Sequence, residues 1–253
     1  MDLLDKDLSI GIVGSRKVSR YGVDTASKFG KELAENDVVV VSGMARGIDT
    51  SAHKGALSVG GDTIAVVATG LDLVYPPENL SLYNDLCERG LVVSEYVTGT
   101  PAQPFRFPER NRIITGLSDG LLVVEAGKKS GALITLDCAI EEGRECFIVP
   151  ANIDSRTSAG SNERLRAMPH AITFDAQDIL SRFNRVKKED SCVSPIQLDF
   201  EETRIVELLE TGEKHFEEIL DAVDLDSASL SALLTRMEIS GIIKDLGSNF
   251  YGL

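Results

Sequence analysis

Four segments of this sequence carry residues suited to holding a polyanion. The first, Gly11-Ile12-Val13-Gly14-Ser15-Arg16, closes an apolar run. Gly14 permits a tight bend and a close backbone approach to a phosphate; Ser15 and the helix start beyond it offer donors, and Arg16 adds a planar cationic fork. The plainer alternative is that Gly14 only makes the turn. The segment lacks the third glycine of a G-x-G-x-x-G fingerprint. Ser42-Gly43 stand where an acidic ribose-binding residue would end the second strand. A dinucleotide cofactor is therefore not expected, and no other cofactor is suggested.

The second segment runs from Ser42 to Asp49 (S-G-M-A-R-G-I-D). Gly43 and Gly47 fit close backbone approach. Arg46 has two readings, contact with a phosphate or an internal pair with Asp49. His53, one turn on, has no nucleophile or metal pattern beside it and reads as a structural histidine. The third is Phe105-Arg106-Phe107-Pro108-Glu109-Arg110-Asn111-Arg112, read as a loop. Its basic and aromatic makeup suits a single-strand surface. The phenylalanines are expected to pack beneath it and at least one arginine, Arg110 or Arg112 among them, to meet the ligand. An arginine pairing with Glu109 or Glu125 is the alternative. In the fourth, Glu125 to Leu133, Lys128 and Lys129 precede Ser130, a helix cap, and Gly131, an uncluttered first turn.

These segments need a frame that brings them together. Continuous apolar runs at Ser9–Val13, Val38–Val41, Thr63–Val67, Leu91–Val93, Leu121–Val124 and Cys146–Val149 read as strands buried on both faces. Helical spacing of Val23, Ala26, Gly30 and Leu33 follows a turn-like S-R-Y-G, and residues 80–89 and 130–142 suit further crossover helices. The alternation predicts a doubly wound, mostly parallel α/β domain over residues 1–185. In such a sheet all four segments sit at carboxyl ends of strands and share one edge. They would build one cationic groove on an acidic protein.

The acidity is marked: 26 Lys and Arg stand against 40 Asp and Glu in 253 residues, a formal charge of -14. A generally basic coat protein is excluded, a local basic patch is not. Cys87, Cys138, Cys146 and Cys192 form no C-x-x-C pair, and with three His there is no zinc-ligand spacing. No apolar run approaches the ~18 residues of a membrane span, and the acidic N-terminus lacks the apolar run of a signal peptide, so the cytoplasm is expected.

Residues 186–196 are polar, end near Pro195 and read as a linker. In 197–253 three short amphipathic stripes precede two strand-like runs, the outline of a winged helix-turn-helix. Residues 196–253 hold 4 Lys/Arg and 13 Asp/Glu, a net of -9; residues 1–195 hold 22 and 27, a net of -5. The helix 226–241 offers only Arg236 as a cation, so this module is expected to be a poor DNA binder and to contact a protein or serve packing.

In order along residues 11–166 stand V-G-S-R, V-V-S-G-M-A-R-G-I-D, G-G-D-T-I-A-V, Y-P-P-E-N, L-V-V-S-E-Y, F-P-E-R-N-R-I-I-T-G-L-S, L-V-V-E-A, S-G-A-L-I-T and G-S-N-E. Together they resemble the DNA-processing A (DprA/Smf) family over roughly two thirds of the chain. The resemblance implies a Rossmann-like domain with a small C-terminal winged helix. It implies single-stranded DNA binding without catalysis, homodimers, and delivery of the strand to the RecA recombinase in transformation and recombination. Arg16 and Lys129 match the family's DNA-binding basic residues; Arg46, Arg110 and Arg112 lie in matching motifs. Many members carry an N-terminal helical domain, whereas here the first strand begins almost at once. The competing expectation is a phosphoribohydrolase-type Rossmann enzyme that binds or cleaves nucleotides. The acid of its G-G-x-G-T-x-x-E loop has no counterpart in A-G-K-K-S-G-A-L-I-T, and Glu95 and Glu125 are the strand-end carboxylates available. A transcription factor acting through the winged helix is disfavoured by the charge of that module.

Overall fold

The computed structural model describes residues 3–185, 200–210, 212–223, 225–239, 242–247 and 249–252. The chain divides into two compact units, residues 1–188 and 189–253. The expected linker, 186–196, lies outside the described residues.

The first unit alternates strand and helix: β1 (Ser9–Val13), α1 (Arg20–Glu35), β2 (Val39–Ser42), α2 (Ile48–Ser58), β3 (Thr63–Val66), α3 (Leu80–Arg89) and β4 (Leu91–Val93). It continues with α4 (Arg106–Gly116), β5 (Gly120–Val123), α5 (Gly131–Glu141), β6 (Glu145–Ile148), α6 (Ala159–Ala167) and α7 (Ala176–Arg182). The six strands form one parallel sheet in the order β4-β3-β2-β1-β5-β6. The predicted strands fall on these six, shifted by at most one residue at an end. Their continuous apolar character has the anticipated cause. Ile10, Ile12, Val40, Leu122 and Val124 pack on one face with Phe29 and Leu33 of α1, Ala52 of α2 and Ile179 of α7. Val13, Val41, Ile64, Leu121 and Val123 pack on the other with Ile114 of α4 and Leu136 of α5. The strand order reverses between β1 and β5. Their following loops diverge there, which is where open α/β sheets leave a crevice.

Two expectations are corrected. The S-R-Y-G stretch is not a turn: Ser19 caps α1, accepting from the Gly22 N–H at 3.1 Å, and Arg20 opens the helix. Phe105–Arg112 is not a loop but the start of α4. Pro108 sits in its first turn, where a missing N–H breaks no intrahelical bond. α1 and α2 meet backbone to backbone. A methyl group on Gly30 would lie 2.3 Å from the Ala52 carbonyl oxygen, and one on Gly55 2.2 Å from that of Ser27.

The second unit contains α8 (Phe200–Glu210), β7 (Lys214–His215), α9 (Phe216–Ala222), α10 (Ser227–Ile239), β8 (Lys244–Gly247) and β9 (Phe250–Gly252). Its strands pair antiparallel in the order β7-β9-β8. The three stripes read from the sequence meet in its core, where Ile205, Leu209, Ile219, Leu230, Leu234 and Met237 are buried.

Candidate functional site

The loops after β1 and β5 bound a cleft of about 730 Å³ at the switch in strand order. Gly14, Ser15 and Arg16 line it from the loop after β1, and Lys129, Ser130 and Gly131 from the loop after β5 and the start of α5, joined by Asp49, Phe107, Arg110 and Arg156. Arg16 and Lys129, distant in sequence, thus face one space, and both are exposed. The Arg16 guanidinium lies 4.4 Å from the centre of the Phe107 ring, and that ring is 5.5 Å from Tyr75. A cation over an aromatic face is held in place while its outer edge stays available to an anion.

Local chemistry fixes each side. Gly14 has no room for a side chain: a methyl group there would sit 2.4 Å from Cγ1 of Ile48. Its glycine is required by packing against α2, as the plainer alternative had it. The Ser15 N–H donates to the Glu125 carbonyl at 2.6 Å, and its hydroxyl donates to the Lys17 carbonyl, also at 2.6 Å. Ser130 caps α5, accepting from the Ala132 N–H at 3.3 Å. Gly131 has open space where a side chain would be, so the first turn of α5 stays uncovered.

The second and third segments behave differently from expectation. Arg110 is 3% exposed and donates to the carbonyls of Gly43, at 2.8 Å, and Val66. Burial lowers its pKa to about 10, partly countered by Asp49. It is a cross-link beneath the cleft, not a cation offered to a ligand. Gly43 is corrected with it, because a methyl group there would lie 2.4 Å from the Arg110 guanidinium. Gly43 makes room for an internal arginine rather than for a phosphate. Arg112 is ion-paired with Glu95 at the surface. The internal partner of Arg46 is not Asp49. Arg46 pairs with Glu78 at 2.6 Å, beside a small adjoining pocket lined by Arg16, Tyr75 and Phe107. Glu125, considered as an arginine partner, accepts from Ser19 instead.

Beneath the cleft, burial dominates the titrating groups. Asp49 is 6% exposed, and desolvation raises its pKa to about 6 against the opposing pull of Arg110 and Arg16. His53 is fully buried, its Nδ1 2.7 Å from the Thr63 hydroxyl; desolvation, then Arg110, lowers its pKa to about 3. It is the structural histidine that the sequence suggested. The phenylalanines do not pack away as expected: Phe105 is 58% exposed and Phe107 lines the cleft. Sequence reasoning also passed over Tyr75, Lys17 and Arg156. The Y-P-P-E-N and G-S-N-E motifs held the signal for two of them, since Tyr75 opens the first and the second fixes the loop bearing Arg156. There the Gly160 and Ser161 N–H groups both donate to the Ala126 carbonyl at 2.9 Å. Among the described residues no group of His, Cys, Asp and Glu is placed to hold a metal ion. No described helix is long and apolar enough to cross a membrane.

The profile of the family described as DNA recombination-mediator protein A matches residues 1–184. DNA processing protein DprA of Streptococcus pneumoniae is 44% identical over 183 residues, 72% of this chain and 64% of that protein. DprA of Bacillus subtilis is 40% identical over 179 residues, 71% and 60% respectively. The chain thus spans less than two thirds of the length of these relatives. The crystal structure of S. pneumoniae DprA superposes with a TM-score of 0.66 at 43% identity, covering 71% of this chain and 62% of that one. Helicobacter pylori DNA processing protein A, whose structure was described for its single-stranded DNA binding mode, gives 0.65 at 28% identity over 72% and 82%. These likenesses agree with the six-stranded frame and with the ordered motifs it positions: the chain belongs to the DNA recombination-mediator protein A family.

Proposed function

We propose that this protein is a non-catalytic binder of single-stranded DNA and that the cleft between the β1 and β5 loops is its strand-binding groove. One observation carries the reading: Arg16 and Lys129 converge on a single cleft, floored by the aromatic ring of Phe107. Phosphates would meet the two exposed cations and the open first turn of α5, while bases stack against Phe107 and Tyr75. Family membership and the named binding mode of the H. pylori relative support the same ligand. The carboxylates of the rival enzyme reading make internal contacts: Glu95 pairs with Arg112, and Oε2 of Glu125 accepts from Ser19. The family likeness further supports transfer of the bound strand to the RecA recombinase in DNA uptake and recombination, action in the cytoplasm, and a homodimeric state. The second unit, with three helices and a small antiparallel sheet among its described residues, fits a winged helix. The net charge of -9 over residues 196–253 suits contact with a protein rather than DNA.

Fluorescence anisotropy with labelled oligo-dT over a salt series tests the groove. Binding should weaken with a log–log salt slope of roughly -0.7 per phosphate contacted. Arg16→Glu with Lys129→Glu should weaken it by roughly a hundredfold or more, with the fold intact, because both residues lie on exposed loops. Full binding by the double variant, or equal affinity for duplex and single strands, would refute the assignment. Release of free base from nucleoside monophosphates would favour the enzyme instead.

A further inference from the structure

The loop that carries Arg16 stands on one residue of another loop, Glu125, just beyond the end of β5. At its start, the Ser15 N–H donates to the backbone carbonyl of Glu125 at 2.6 Å. At its end, the Ser19 N–H and hydroxyl both donate to Oε2 of the same Glu125, at 3.1 and 3.0 Å. The neighbours are shaped around this carboxylate. A methyl group on Gly22 would fall 2.0 Å from Oε2, and one on Gly14 2.9 Å from the Glu125 carbonyl oxygen. Glu125 is fully buried, and its Oε1 has no hydrogen-bond partner. A carboxylate buried with one oxygen unsatisfied is a costly way to fill space, so its placement calls for a reason other than packing. Two residues further on, the Gly127 carbonyl accepts from the Ser130 N–H at 2.9 Å and so closes the turn bearing Lys129.

We infer that Glu125 is a positioning residue for strand binding, pinning both ends of the Arg16 loop to the loop after β5 that carries Lys129 and so setting the two cations at a fixed separation. The inference rests on the groove proposed above. It makes a prediction opposite in sign to simple electrostatics. Glu125 brings a carboxylate against the loop that carries Arg16, so its charge alone weakens binding of a polyanion. Glu125→Gln and Glu125→Ala remove that charge equally, and on electrostatic grounds both tighten binding.

Positioning separates the two variants. A glutamine oxygen still accepts from Ser19, so Glu125→Gln should bind oligo-dT within about twofold of the parent. Glu125→Ala frees the end of the loop. It should bind about tenfold more weakly, with the salt slope reduced by roughly 0.7, the loss of one phosphate contact. Equal tightening in both variants, or unchanged binding by Glu125→Ala, overturns the proposal. Near-ultraviolet dichroism verifies folding. If Glu125→Ala does not fold, Ser19→Ala severs the hydroxyl arm with no change of charge, and must weaken binding by about threefold or more for the proposal to stand. Hydrogen exchange at the amides of residues 15–19 gives a readout without DNA: it should quicken in Glu125→Ala and not in Glu125→Gln. If the parent fails to bind oligo-dT, the groove is refuted, while the exchange rates still decide whether Glu125 pins the loop.

Discussion

On one side of the cleft, Arg16 and Lys129 hold their charges in water on loops after β1 and β5. On the other, α4 holds Arg110 within the protein and Arg112 against Glu95. Residues of one chemical type divide by what they already touch. An exposed cation can meet a phosphate without breaking an internal bond. A buried one bonded to two carbonyls cannot leave without stranding them. In the proposed groove, affinity would therefore belong to the β1–β5 side and rigidity to the α4 side. Arg16, steadied by the Phe107 ring of α4, is where the two sides meet.

Arg110 offers the strongest way to break this contrast. Arg110→Met removes the cation that acts most strongly on Asp49 and takes a donor from the Gly43 and Val66 carbonyls. Removing one partner of a buried charged network costs about 3–5 kcal/mol. Urea unfolding should show a loss of that size, and a loss below about 1 kcal/mol would place Arg110 with the ligand-facing cations instead.

Asp49 sharpens the same contrast through pH. Its pKa is about 6 in the folded protein against an ordinary value of 3.8, so the folded state takes up the proton first. The burden of the buried charge is present above pH 6 and is relieved as pH falls from 6 towards 4. A shift of this size corresponds to about 3 kcal/mol. The melting temperature of the parent minus that of Asp49→Asn should therefore rise between pH 7.5 and 4.5. His53 works in the opposite sense, since below pH 6.5 the unfolded chain binds a proton that the folded one refuses. Both proteins carry His53, so its contribution cancels in the difference. A flat or falling difference would contradict the burial of Asp49 under the cleft.

The smallest effect is expected at Arg112. Arg112→Gln breaks a surface ion pair worth about 0–1 kcal/mol and should leave oligo-dT binding within about twofold. A tenfold loss in anisotropy titrations would show that Arg112 exchanges Glu95 for a phosphate, and the division between the two sides would need redrawing.

These outcomes turn on partners that the sequence reveals unevenly. The strands were legible because burial on both faces leaves continuous runs such as Val38–Val41 and Leu121–Val124. The convergence of Arg16 and Lys129 followed, since parallel strands put their carboxyl ends on one edge. α4 was not legible: R-F-P-E-R-N-R is polar with a proline, and its helical character appears only when Ile114 meets the sheet. Nor was the fate of its arginines. The carbonyls that Arg110 bonds belong to the ends of β2 and β3, and Glu78 reaches Arg46 across the fold. No local spacing encodes such pairings. The exposed Phe105 shows the same limit, because an aromatic residue beside charges reads equally well as a buried prop or a stacking surface.

The glycine seam between α1 and α2 links architecture to reach. The two helices lead away from the loops that present Arg16 and Arg46, and at Gly30 and Gly55 nothing but hydrogen separates each from its neighbour's backbone. One added carbon at either place would wedge the pair apart, and the splay would travel along two stiff rods to their tips. The spacing of the two loop tips is thus set partly by side chains that do not exist, in a contact remote from the proposed groove.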